Sequence, residues 1–494
     1  MQIDIRKPGI QVLLYKNVSR KTVNGTTPVS ARYAGQSSVV DLTPFLSEAN
    51  PVRVSKSVRE PAGAFSIALA DQVDADVLDS LYAVIEPMDA IAIRLSGIGY
   101  SPLGNSLPIM MRGFVSQVQR MQGMSADGKP TRLVQITGHD YGKILQMMQI
   151  FFMPNAPEDA SAMITSFPFF AKFGGFDNVL EAGKFTQTVF DKVVNPYLSN
   201  MMLNAASADA VMQIATDIQV TGAQVSPFGV GTFNGGNVHA LISSYGDIGA
   251  WNEFFIEDRE AGPYAVYRPN PFMDPVTYEY LMSGVTAPTV VDIDSRDVVS
   301  MTASRTDANV ANYFWADSPR FLINYDSTAR MMAFASAGTN DSAPFYVTDY
   351  GNVDPALYGV RKLEESTNQA GTDESNNGNG TQYGPSRNAS MNGALTWINS
   401  RRAQLYALNK DNVVLETGSM RLKGNEAIKA GVYLRLTHGT MRSYHYVVSV
   451  VHDYTPFGAY FTEVQFERGT GFVDRIQNAA GQQAPYYSEM VTKS

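Results

Sequence analysis

Apolar and polar residues alternate with period two in two blocks of the chain, one in its first third and one near its end, as half-buried strands require. The most legible block spans residues 421–472. Val432, Leu434 and Leu436 alternate there with Tyr433 and Arg435, and Val448 and Val450 alternate with Val447, Ser449 and Val451. Thr455-Pro456-Phe457-Gly458 supplies turn chemistry, and residues 460–467 return as a third strand. The pattern predicts a curled antiparallel meander.

The first block repeats this arrangement in the same order. Residues 91–95 match 432–436, 115–118 match 447–450, and 134–136 match 464–466. Upstream, residues 54–71 (VSKSVREPAGAFSIALAD) match 299–317 (VSMTASRTDANVANYFWAD), with one residue inserted. Four pairs in one order predict an internal duplication. Its marker positions are Val54, Phe65, Ile93, Val118 and Ile136 in the first copy, and Val299, Phe314, Leu434, Val450 and Phe466 in the second.

Further elements follow the same logic. Strands are expected at residues 10–15, 38–42, 52–57, 64–69, 90–95, 111–120 and 131–137, with a helix from Asp74 to Pro87 that sets Val77, Leu78, Leu81, Tyr82 and Ile85 on one face. From Asp140 the period becomes helical, with segments at 141–152, 160–170 and 185–204, and a last one from an Ser207 N-cap to Ile218. The Met and Phe side chains of this block read as the core of a helical subdomain. A hairpin is expected around residues 258–262, and strands at 290–294 and 298–304 open the second copy. Residues 364–388 are nearly devoid of apolar side chains and read as a mobile surface loop, followed by a helix over 395–408.

Length supports several domains, since single cores stop growing at about 250–300 residues and this chain has 494. The expected division is 1–138, a first β unit; 139–250, a helical and mixed insertion; 251–325 with 411–474, a second β unit; 326–410, an insertion; and 475–494, a tail. The fold class is α+β, mainly β, with two pseudo-repeated small β-barrel domains around an inserted helical subdomain and a long polar loop. No leader-like apolar run opens the chain, and residues 147–173 are too broken by proline and acid to anchor it in a membrane.

Charge and chemistry narrow the function. With 38 basic and 47 acidic residues the net charge is −9, and no basic run offers the clustered contacts that nucleic-acid binding needs. Zero cysteines exclude thiolate catalysis and cysteine-based metal sites. No phosphate-binding loop, nucleophile elbow or zinc helix motif occurs, so no catalytic, cofactor or metal residue is assigned. His438, His445 and His452 recur every seven residues, an odd spacing that points neighbours to opposite faces of a strand. Asp292, Asp294 and Asp297 read as a strand end and turn rather than an acid–base pair.

The terminal meander, with Gly424-Asn425, Ala430-Gly431, Tyr446-Val447-Val448, His452, Phe461-Thr462 and Arg468-Gly469, resembles the last segment of late-control-D-like baseplate hub proteins of contractile-tailed bacteriophages, relatives of the hub part of type VI secretion spikes. Residues 297–314 and Gly138-His139-Asp140-Tyr141 resemble further segments of that family, so the likeness touches about half the chain. The helical block and the polar insertion depart from it. The resemblance implies tail-tube-like barrels, a non-enzymatic virion protein assembled in the host cytoplasm, and a homotrimer forming a pseudo-six-fold ring. Implied partners are tail tube or tube-initiator proteins, a central spike and baseplate wedge proteins, with DNA passing unbound through a channel for which Asp89, Asp292 and Asp294 are candidate lining. Another virion structural or adhesive β protein, or a tail-associated cell-wall or polysaccharide hydrolase, remain the alternatives.

Overall fold

A computed structural model describes residues 8–17, 39–48, 50–71, 80–97, 107–124, 128, 130–150, 180–201, 213–225, 236–317, 346–371, 385–439, 441–456 and 458–476. The first block contributes strands β1 (Gly9–Tyr15), β2 (Val39–Asp41), β3 (Val52–Ser57), β4 (Ala64–Ala70), β5 (Ala90–Ser96), β6 (Ile109–Met124) and β7 (Pro130–Asp140). Short strands follow as β8 (Gln149–Ile150), β9 (Leu180–Glu181), β10 (Ala215–Ile218), β11 (Ala223–Val225) and β12 (Gly236–Asn237), and then a long hairpin, β13 (Asn252–Arg259) and β14 (Gly262–Pro269). The second block holds β15 (Val290–Asp294), β16 (Val298–Ser304), β17 (Tyr313–Asp317), β18 (Lys362–Ser366), β19 (Gln369–Gly371), β20 (Glu416–Lys423), β21 (Tyr433–His438), β22 (Met441–Tyr454) and β23 (Tyr460–Gly469). The mainly β, α+β class is the one observed.

Thirteen of these strands form one sheet in the order β16-β20-β23-β22-β3-β4-β7-β6-β5-β1-β2, with β21 on the first half of β22 and β15 beside β21. Two units are visible within it. In the first, β3, β4, β7, β6, β5 and β1 are successive neighbours; in the second, β16, β20, β23, β22, β21 and β15 are. A short helix closes each unit just after its last strand, Gly142–Met147 after β7 and Gly471–Ile476 after β23. Both long central strands also carry a bulge at the same place, where the register shifts between Val115 and Gln117 against β7 and between Val447 and Ser449 against β23. A shared bulge is a specific mark of common design, because it inserts one unpaired residue and re-aims the strand. The last strand pair differs: β1 runs antiparallel to β5, whereas β15 runs parallel to β21.

The bulges fix the correspondence residue by residue. Gln117 matches Ser449, and cross-strand partners carry this to Thr137 with Gln465, Ser66 with Ser419 and Arg53 with Thr302. Three expected alignments shift accordingly. Val464 corresponds to Ile136 and Leu434 to Ile91, each two residues from the sequence match, and Ala303 rather than Val299 corresponds to Val54. The first two errors are even within unbroken strands, so those side chains keep their faces and the hydrophobic pattern cannot detect them, while Val299 lies at a bulge of β16. The fourth is larger. Phe314 lies in β17, which pairs parallel with β18 in a separate two-stranded sheet, and β20 occupies the place of β4.

Three apolar clusters hold the molecule together. One fills the first unit around Val12, Val54, Ile67, Ile93 and Ile136; a second fills the other around Ile293, Leu422, Leu434, Val447 and Val464. The third packs Phe185, Val189, Phe190 and Leu198 of the helical block on Phe114, Tyr141, Phe254 and Tyr267. Helix Gly142–Met147 begins next to Asp140, whose carboxylate accepts from the Gly142 amide at 2.9 Å, but its N-cap is Tyr141, and it stops before β8 instead of running on to 152. The helix before Pro87 is described only as Leu81–Val84 and is capped by Ser80, with residues 72–79 outside the described set, as are 160–170. The expected helix ending at Ile218 is instead strand β10, parallel to β14, because the hairpin's open edge supplies ladder partners there. Asn195 fastens it by bonding both the amide and the carbonyl of Ile214.

The polar segment also departs from expectation. Residues 364–366 belong to β18, and Thr367 and Gln369 are fully buried. Gln369 donates to the Tyr267 hydroxyl at 2.8 Å and to the Tyr245 carbonyl, and it accepts from Arg401 at 2.9 Å. A polar composition therefore marks a buried hydrogen-bonded network here, not a free loop; residues 372–384 lie outside the described set.

Candidate assembly surfaces

Within the chain the two units meet where β3 pairs with the second half of β22, from Val52 opposite Tyr454 to Ser57 opposite Ser449. Val52, Val54, Val450, His452 and Tyr454 are buried on one face of this seam, and Arg53 ion-pairs with Asp453 at 3.1 Å on the other. Among the described residues the corresponding flanks elsewhere are unpaired. Strand β16, the counterpart of β3, ends the sheet, and the second half of β6, the counterpart of β22 from Gln117 onward, has β7 on one side and no strand on the other among the described residues.

Beside the seam, hairpin β13–β14 ties both units together through buried polar groups. At its tip, Arg112 donates to the carbonyls of Arg259 and Glu260 at 2.6 and 2.9 Å, while Glu260 accepts from the Ile109 amide and from Arg94. Just below the tip, Lys56 sits between Asp258 and Asp140 at 2.5 and 2.9 Å. Burial alone would lower the Lys56 ammonium, but the two carboxylates override it and hold the group above its ordinary range. At the base, Arg268 bonds Glu253 at 2.6 Å and the Gly431 carbonyl at 2.7 Å, and the Tyr446 hydroxyl donates to Glu253 at 2.5 Å. Gly431 has φ of 83°, and a Cβ there would lie 2.8 Å from the Arg268 guanidinium, so glycine is required at this contact. No sequence pattern announced this clamp; Arg94, Arg112 and Arg268 as arginines inside apolar strands were the available signal.

Of the marker residues, Val54, Phe65, Ile93, Ile136, Phe314, Leu434, Val450 and Phe466 are buried and Val118 is half-buried, whereas Val299 is 54% exposed. The three aspartates part company. Asp89 is fully buried, held by Lys16 at 2.5 Å and by the amides of Asn17 and Glu86, so it presents no charge to a channel. Asp292 is exposed and Asp294 half-buried; hydrogen bonds from Arg435 hold the first below the usual carboxylate range, and those from Arg296 hold the second at about 2.

The bulge also overturns the histidine reading. It restores parity between His445 and His452, which are buried on the same face as Val447 and Val450. His445 contacts Ser443, and His452 lies between the Ile428 carbonyl and the Tyr460 hydroxyl. Burial lowers both to about 4. No group of three His, Asp or Glu converges among the described residues, and no described helix is long and apolar enough to cross a membrane.

No protein family and no curated protein matches the sequence. Among solved structures, the chain is similar to a 43 kDa tail protein of prophage MuSo2 from Shewanella oneidensis (10% identity, 92% of this chain and 98% of that one, TM-score 0.43). It is similar to a tail protein from Neisseria meningitidis MC58 (10%, 93% and 96%, 0.44). A third is a type VI secretion component from E. coli described as similar to T4 bacteriophage tail proteins (6%, 84% and 72%, 0.36).

Proposed function

We propose that this chain is a structural, non-enzymatic component of a phage tail baseplate, a hub in which three copies form a ring with six quasi-equivalent positions. The observation that carries the reading is the doubled β unit with one internal seam and, among the described residues, the two halves of a second seam left unpaired. An exposed sheet edge is a liability that proteins cover, and a heterologous contact repeated around an axis covers it in a closed ring. Three chains of two units each give the six-fold to three-fold match that the hub resemblance calls for, between a tail tube above and a spike below. Proposed partners are the tube or its initiator, the spike and the wedge proteins. The net charge of −9 suits a ring through which DNA passes without binding, with Asp292 and Asp294 as the remaining candidates for its lining. The proposed domains are the two units described above, with residues 139–250 and 326–410 as insertions.

Native mass spectrometry tests this directly: chains of 53.9 kDa should assemble to about 162 kDa. A monomer at all concentrations, or a ring of another number, would refute it, as would turnover of peptidoglycan or capsule. Duplex DNA at physiological salt should not bind tightly.

A further inference from the structure

We infer that the ring closes through a strand junction between copies of this chain: β16 of one copy adds antiparallel to the free half of β6 of the next, with Thr302 opposite Met121. The inference rests on the ring proposed above and specifies its contact. The register follows from the bulge-anchored correspondence alone. Arg53 pairs with Asp453 inside the chain, Arg53 corresponds to Thr302, and Asp453 corresponds to Met121. The pairs Ser304 with Gln119, Ala303 with Arg120 and Met301 with Gln122 then follow from antiparallel geometry, up to the bulge that β16 carries at Val299.

Two further features of these edges support the junction. First, these edges gather exposed apolar side chains: Val299 is 54% exposed, Met301 37%, Met121 37% and Met124 76%. The junction sets Met301 opposite Gln122 and diagonal to Met124 on one face, while Met121 lies opposite Thr302 on the other. At the internal seam the positions matching Met301 and Ala303 are Val52 and Val54, both buried. Second, β16 reads VVSMTAS, with no charge and no proline, and so lacks the devices that keep an edge strand single. Residues 117–124 of β6 carry one charge, Arg120, which falls opposite Ala303.

The hydrogen-bonding parity gives the experiment. Thr455 donates to Ala459 across the β22–β23 turn, which turns the alternate residues Val450, His452 and Tyr454 toward β3. By correspondence Met301 and Ala303 aim their backbone groups outward from the sheet, while Thr302 and Met121 form a non-hydrogen-bonded pair with close side chains. The chain has no cysteine, so introduced thiols report alone. Mild oxidation of the Thr302→Cys, Met121→Cys double variant should join copies covalently, at least about tenfold faster than a Thr302→Cys, Gln119→Cys control displaced by two residues. Ala303→Pro removes only an outward amide and should leave thermal unfolding unchanged while abolishing the ring, as proline is tolerated on an edge whose amide faces away. A three-chain ring that lacks the 302–121 disulfide, forms it no faster than the control, or survives Ala303→Pro would overturn the junction and leave the ring standing. A Thr302→Cys single variant that dimerises would also overturn it, by showing β16 paired with β16. A wild-type protein that stays monomeric would overturn both.

Discussion

Removing Arg268 tests whether the hairpin clamp is structural. Its guanidinium meets Glu253, the Gly431 carbonyl and Tyr446 at a site where the Arg268 and Glu253 side chains are 9% and 7% exposed. Arg268→Met keeps the length of the side chain but leaves the Glu253 carboxylate buried with only the Tyr446 hydroxyl to meet it. Breaking a buried pair on one side costs about 3–5 kcal/mol, mostly the penalty of the orphaned charge. Glu253→Leu should cost a similar amount by stranding Arg268. The double variant removes both charges and leaves only the Gly431 carbonyl and the Tyr446 hydroxyl without their partners, about 1–3 kcal/mol for each that finds no water. The two single costs should therefore sum to well above the double, with a coupling of several kcal/mol in a urea-denaturation double-mutant cycle. Additive costs, or a single Arg268→Met cost below about 1 kcal/mol, would show that water reaches the pair and that this clamp adds little to holding the hairpin.

Further predictions concern pH, glycine and the polar segment. His445 and His452, lowered by burial from 6.5 to about 4, contribute stability that is complete above pH 6.5 and is lost as pH falls through 4, about 3 kcal/mol each. His452→Gln should thus flatten the fall of the urea midpoint between these pH values, and an unchanged slope would refute the assignment. Gly138→Ala places a Cβ 2.2 Å from the Phe114 carbonyl and 2.4 Å from the Phe65 ring, and should cost about 1–3 kcal/mol by calorimetry, against little for Gly351→Ala, where no atom lies within 4 Å. Deleting residues 366–387, which composition alone makes harmless, should lower the melting temperature by several degrees because it strips Asp247 and Arg401 of their buried partners Thr367, Asn368 and Gln369; an unchanged transition would restore the free-loop reading.

The strands, the duplication and the α+β class were legible because period two is a local signal that burial on one face imposes residue by residue. Register was not. The errors at Leu434 and Val464 were two residues, and an even slip within an unbroken strand preserves the in–out pattern, while the four-residue error at Ala303 ended on the β16 bulge at Val299. The wrong partner for β16 has a different origin: β4 follows β3 after six residues (58–63), whereas β20 follows β16 only after residues 305–415, so a linear match took the first apolar run available, at Phe314. The burial of Thr367 and Gln369 was hidden for a third reason. A polar network satisfied from distant elements has the same composition as a solvated loop, and only its partners Tyr267, Asp247 and Arg401 distinguish the two.

The same comparison explains why the two copies could diverge where they did. The internal seam needs β3 short and firmly placed, and its turn to β4 is six residues long, with Gly63 so close to the Ser55 carbonyl (2.8 Å from a built Cβ) that nothing larger fits. In the second copy the equivalent turn opens at the outer end of the sheet, away from that seam, and there it accepts residues 305–415 without breaking the β16–β20 ladder. Gly418 marks what that ladder demands, since a Cβ at this position would lie within 1.9 Å of the Thr302 carbonyl. A bulkier residue at 418 would push Thr302 out of line. The insertion leaves the register intact: β16 still arrives with Thr302 beside Ser419, the placement the proposed ring uses to present Met301 and Ala303 outward as β3 presents Val52 and Val54 at the internal seam.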